Sequence, residues 1–142
     1  MLVTPNSPNS VASHVLFSVD LRHPDPATIQ RLGEAVEPLA CKTVKNCTVK
    51  VTPTLHDDPC VFDAAVVNVI ERAAVDLSLP HLRLPSGASH DANYMARVCP
   101  AGMIFVPCEK GISHNEAENA KPGDLAAGVR VLTAALLELA EK

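Results

Sequence analysis

Tryptophan is missing from this 142-residue chain, which also has one tyrosine and three phenylalanines. Its 12 basic residues are scattered, and the formal net charge is -4. Without a basic cluster or interleaved aromatics, no nucleic-acid partner is expected. Apolar runs stay far below the roughly 18 residues that a spanning helix needs, so no membrane partner is expected either. The opening MLVTPNSPNS has neither the basic nor the apolar region of a secretory leader, which makes a cytoplasmic location the expectation. Cys41, Cys47, Cys60, Cys99 and Cys108 form an odd set without a Cys-x-x-Cys pair. They are expected to be reduced, mostly buried thiols, at spacings that match no common zinc finger or ribbon. No His-Glu-x-x-His helix, nucleophile elbow, P-loop, internal repeat or low-complexity tract occurs.

What is present is a globular composition, 47% hydrophobic and 20% charged, long enough for a core. From His14 to Arg22, the residues Val15, Phe17, Val19 and Leu21 alternate with polar neighbours, predicting a strand with one buried face. Asp25-Pro26 caps a helix carrying Ile29, Leu32 and Val36, which Pro38 should stop. Cys47, Val49 and Val51 predict a second strand ending at Pro53, so that residues 11–53 read as an α+β unit. The polar turn Leu55 to Pro59 marks a boundary between domains 1–55 and 56–142. Beyond it, Phe62, Val66, Val69, Ile70, Ala73 and Leu77 share one face of a helix that Pro80 should close. A short helix near Ala92–Arg97 follows. Met103 to Val106 is continuously apolar, the pattern of a strand covered on both faces in a parallel sheet. Asp124 is expected to cap a last helix with Leu125, Val129, Leu132, Leu136 and Leu139 on one stripe. The layout is α/β with an α+β portion in front.

One residue stands where chemistry is plausible. His114, in Gly111-Ile112-Ser113-His114-Asn115-Glu116, follows the apolar run at the edge where α/β sheets hold ligands. Neutral imidazole suits a zinc ion, and Glu116 or Glu118 is near enough to orient the second ring nitrogen. A solvated loop histidine is the plain alternative. Arg22 ends the first strand, where, taken alone, an arginine reads as a surface residue.

The stretches SGASHDANYMARV and CPAGMIFVPCEKGISHNEAE, Ser86 to Glu118, together resemble the zinc-dependent amidohydrolases of the carbamoylase and allantoate-hydrolase type, within the M20 metallopeptidase superfamily. The likeness is strongest from Leu84 to Leu139. It implies a C-terminal segment of a phosphorylase/hydrolase-like catalytic domain (a parallel-rich sheet with helices) over 56–142, preceded by half of a ferredoxin-like dimerisation lid over 1–55. It also implies a divalent metal, zinc or manganese, with two ions in the complete family enzyme. His114 would be a metal ligand. Arg22 and Asn9 would hold the substrate carboxylate, with Asn6 as the alternative to Asn9. The family turn usually reads Gly-Ala-Gly-His-Asp and offers a backbone N–H to substrate; here Ser89 replaces the second glycine, at a cost if the position needs a positive φ. His90 is a candidate supporting residue in that turn.

Segments that supply the family's other metal ligands and its general base, a glutamate, have no counterpart in this sequence. The resemblance therefore implies a fragment of an enzyme that cleaves C–N bonds of N-carbamoyl amino acids or ureido acids such as allantoate, inactive by itself. Its expected partners are a second copy of itself or a complementing N-terminal fragment. The rivals are an aminoacylase or peptidase of the same superfamily and a non-catalytic carboxylate-binding or dimerisation module.

Overall fold

The computed structural model describes residues 1–40 and 46–141, which form two compact units, Met1–Pro59 and Cys60–Lys142. In the first, β1 (Leu2–Thr4) and β2 (His14–Leu16) pair antiparallel, with Leu2 opposite Leu16 and Thr4 opposite His14. Ser13 closes the loop between them, donating to the Thr4 carbonyl through its N–H at 2.8 Å and its hydroxyl at 3.0 Å. α1 (Pro26–Ala40) begins as the sequence predicts. Asp25 Oδ2 accepts from the Thr28 hydroxyl at 2.6 Å and the Thr28 N–H at 2.9 Å, satisfying a donor that the first turn cannot. These bonds, the hydroxyl first, hold the Asp25 carboxyl below its ordinary value.

Four expectations for this unit are corrected. β2 ends at Leu16 instead of reaching Arg22, and residues 47–51 form no strand. Alternation provides a face, but a strand also needs a neighbour to take up its N–H and C=O groups. The face expected to be buried is open: Phe17 is 65% exposed, and Val15, Val19 and Leu21 are exposed with it. α1 also passes Pro38 and is described to Ala40. Pro38 lacks the N–H that would bond the Glu34 carbonyl, which costs one rung of the ladder without ending the helix.

The second unit is built on α2 (Ala64–Asp76) packed against α4 (Pro122–Ala140). Asp63 caps α2, its Oδ1 accepting from Ala65 N–H at 2.8 Å and Val66 N–H at 3.0 Å. The helix ends at Asp76, short of Pro80. Ser78 turns left-handed (φ 53°), letting Leu79 N–H reach the Ala74 carbonyl and Ser78 N–H the Val75 carbonyl. That pair of bonds is a Schellman stop with serine in the place glycine usually takes. The buried core is Val69, Ala73 and Ala74 of α2 with Val131 and Ala135 of α4. Arg72 on α2 is also paired with Glu138 on α4.

α4 departs from expectation at two points. It starts with Lys121 as cap and Pro122 in the first turn, leaving Asp124 inside that turn. Its buried face is Val131 and Ala135, whereas Leu125, Val129, Leu132 and Leu136 are exposed; Leu139 of the expected stripe packs on the core. Small side chains let two helix backbones approach, and the leucine stripe lies about a quarter turn away. No described cysteine is buried either: Cys47, Cys60 and Cys99 are exposed and Cys108 partly so, while Cys41 lies outside the described residues.

Met103 to Val106 is not a strand, and among the described residues the parallel sheet is not formed; the sheet present is the β1–β2 pair. The run is nonetheless held against both helices. The Ala101 carbonyl accepts Asp63 N–H at 3.2 Å, and Ile104 packs on the core. Gly102 lies so near α2 that a Cβ there would meet Ile70 Cδ1 and Val66 Cγ1 at 3.0 Å. A Cβ on Gly128 of α4 would stand 2.6 Å from Val106 Cγ1. Valine is stiff about χ1 and cannot swing aside freely. Gly128→Ala is therefore expected to lower stability by about 1–3 kcal/mol, despite alanine's better helix propensity; a melting temperature raised by the substitution would contradict this packing.

The open leucines of α4 and the uncovered face beside β2 favour association through apolar surface. Concentration-dependent self-association and binding of a hydrophobic dye are expected, both reduced by Leu132→Glu with Leu136→Glu. A monodisperse, sharply melting monomer that takes up no dye is the contrary result.

Candidate functional site

The candidate residues fall in separate units. In the first unit, Asn9 sits in the loop between β1 and β2, its N–H donating to Ser7 Oγ at 3.4 Å. Arg22 lies beyond β2 and has closed its fork on Asp20, Nε donating to Oδ1 at 3.1 Å and Oδ2 at 3.0 Å, and Nη2 to Oδ2 at 2.6 Å. Asp20 thus fills one edge of the guanidinium fork. Arg22 lowers the Asp20 pKa from its ordinary 3.8, chiefly by hydrogen bonding, and its own is raised in return.

In the second unit, Ser89 and His90 precede α3 (Asp91–Met95), which His90 caps with its main chain alone. Ser89 is exposed, and it is not among the residues with positive φ. Serine in place of the glycine therefore brings no left-handed strain. His90 Nε2 lies 2.6 Å from Ser86 Oγ, and its ring packs on Phe105 with centroids 5.4 Å apart and planes at 57°. That ring contact joins the GASHD turn to the MIFVP run.

His114 lies beyond a short 3-10 turn, Glu109–Gly111, in a bend where Lys110 (φ 55°), Gly111 (φ 68°) and His114 itself (φ 56°) are all left-handed. Glu118 Oε2 accepts the His114 N–H at 2.8 Å, and Asn115 Oδ1 accepts the Ala117 N–H at 2.9 Å. The neck is closed by Glu109 N–H on the Asn119 carbonyl at 2.7 Å and Asn119 Nδ2 on Glu109 Oε2 at 3.0 Å. The carboxylate expected to orient the ring thus binds the main chain instead, and the exposed imidazole makes no hydrogen bond among the described residues.

No hydrogen bond or ring contact links His114 to Ser89 or His90. Among the described residues, no group of three or more His, Cys, Asp and Glu side chains is placed to hold a metal ion. A zinc or manganese centre therefore does not fit on these residues alone; His114 has the donor chemistry for one ligand of such a centre. Sequence reasoning missed Ser86 and Phe105 beside His90, and Asp20 in the Arg22 fork. The i, i+2 spacing of Asp20 and Arg22 is the available signal.

Residues 2–138 match the sequence profile of peptidase family M20/M25/M40, and the chain belongs to that family. Among its relatives, the N-carbamoyl-L-amino-acid amidohydrolase of Rhizobium meliloti is 41% identical over 143 residues, which take in 99% of this chain and 34% of that enzyme. The ureidoglycolate hydrolase of Arabidopsis thaliana is 37% identical over 95% of this chain and 29% of its own length. In three dimensions the chain is similar to the crystal structure of an amidase of the hydantoinase/carbamoylase family from Burkholderia vietnamiensis. The TM-score is 0.78 at 39% identity, over 96% of this chain and 34% of the other. This chain spans about a third of the length of the relatives it matches. No helix among its described residues is long and apolar enough to cross a membrane.

The Arg22 fork carries a pH signature. Because Asp20 titrates lower when paired, the pairing favours the ordered state above the ordinary carboxylate range, and that contribution is lost as pH falls through the lowered value. Arg22→Ala is expected to return Asp20 to its ordinary value in a carboxyl-carbon NMR titration. An Asp20 value already ordinary in the unmodified chain is the result that rules the fork out.

Proposed function

We propose that this chain serves as part of a metal-dependent amidohydrolase that cleaves the non-peptide C–N bond of N-carbamoyl amino acids or ureido acids such as allantoate. The observation that carries the reading is the family match over residues 2–138, with His114 held on a fixed bend and its imidazole left unengaged. The names of the relatives support a ureido substrate class. In this reading His114 is one metal ligand. Arg22 and Asn9 receive the substrate carboxylate, with Asp20 holding the fork until an anion replaces it. The Ser89 N–H adds a donor, and Ser86 steadies His90 beside it. Residues 1–55 act as the second half of a dimerising lid and 56–142 as the end of the catalytic domain. In this reading turnover belongs to the assembly that this chain completes, with a longer polypeptide or a complementing fragment.

A chimera tests this directly, with this chain replacing the matching third of the Rhizobium meliloti enzyme. The chimera is expected to hydrolyse an N-carbamoyl amino acid, while the isolated chain does not. His114→Ala should lower metal content and reduce activity by at least roughly 100-fold, since a catalytic ion tolerates few lost ligands. Arg22→Ala should lower kcat/KM by roughly tenfold or more, as expected when a charge-assisted carboxylate contact is removed. A folded chimera without hydrolysis, or one whose His114→Ala form keeps metal and rate, overturns the reading.

A further inference from the structure

We propose that Glu118 is the positioning residue of the His114 bend: it holds the main chain of His114, not its ring, in the conformation that presents the imidazole. The inference rests on the reading of His114 as a ligand but is carried by separate observations. His114 is left-handed at φ 56°, a region that residues with a Cβ adopt uncommonly and at some cost. Gly111, three residues earlier, has φ 68° at no steric cost, whereas His114 needs a compensating contact. Glu118 supplies it, with Oε2 accepting the His114 N–H at 2.8 Å in a charge-assisted bond. Its other oxygen, Oε1, lies 3.8 Å from the Cys108 thiol at the foot of the bend, and its own N–H donates to the Asn115 carbonyl at 2.9 Å.

One carboxylate therefore spans from the end of the apolar run to the residue at the apex. The Glu109–Asn119 pair fixes the neck beneath it. Glu116, the other acid near the histidine, makes no hydrogen bond among the described residues, so the role falls to Glu118. Spending the carboxylate on the main chain leaves both ring nitrogens unengaged, while the backbone fixes the direction in which the side chain leaves the bend.

Residue-resolved amide exchange on the full chain tests this without reference to turnover. In Glu118→Ala the His114 N–H is expected to exchange roughly tenfold faster, as when one hydrogen bond guards an opening, with Val69 and Ala73 of α2 unchanged. Glu118→Gln keeps a carbonyl oxygen in the same place and should restore slow exchange. Unchanged exchange at His114 in Glu118→Ala overturns the proposal. So does a Glu118→Gln variant that behaves like the alanine form, or loss of α2 protection in either, since Glu118 would then be a general support of the unit. The ligand role of His114 is read separately, from metal content in the chimera, so each idea can fail while the other stands.

Discussion

Everything of functional interest in the second unit leans on the contact between α2 and α4. Val69, Ala73 and Ala74 meet Val131 and Ala135, and these five are the buried hydrophobic residues of the described chain. All five are alanine or valine, small enough for close backbone approach, and Val69 is only 1% exposed. Against that pair lies the run from Gly102 to Val106, with glycine at each point where it touches a helix closely. Phe105 then carries His90 and the turn before α3. The bend that holds His114 leaves from the other end of the same run. Shifting the two helices would move both candidate segments, because each is tied to the run and the run to the helices.

The two units show different physics. The second has a side-chain cap and a Schellman stop on α2 and a small apolar core, so its order comes from packing as well as from local hydrogen bonds. In the first, no described residue is buried, and short-range polar contacts do most of the holding: Ser13 on Thr4, Asp25 on Thr28, Arg22 on Asp20. Interactions of that kind are screened by water and contribute little each. A face carrying Phe17 and Val19 lies open beside them. Such a face has the composition of a sheet interior, which accords with the proposed lid role.

Helices were legible because their signals are local. Asp25 accepts a first-turn N–H group, as an acid before a helix does, and the spacing from Val66 to Ala73 placed the right side of α2 inward; the Asp63 cap came from the structure. Strands were less legible, since Phe17 to Arg22 and Met103 to Val106 have the right side chains without a neighbour to pair with. α4 misled for another reason. Its leucines form the stronger apolar stripe, yet Val131 and Ala135 face α2, because the fit between two helices is set by the size of the partner's side chains. At the candidate site, sequence singled out Arg22, His90 and His114 and set Glu118 beside the His114 ring, but not that Asp20 and Ser86 would be partners or that Glu118 would bind the His114 main chain.

What the residues by themselves determined is the family, the three longer helices and the likeness of Ser86 to Glu118 to a metallohydrolase segment. These depend on order along the chain: caps, spacing and motif. Only the tertiary structure decided which face of α4 is buried, that Arg22 is closed on an acid two residues away, and that Glu118 holds the main chain of His114 instead of its ring. Those outcomes turn on which groups meet in space. A side chain with several partners within reach chooses among them by geometry that no linear pattern records.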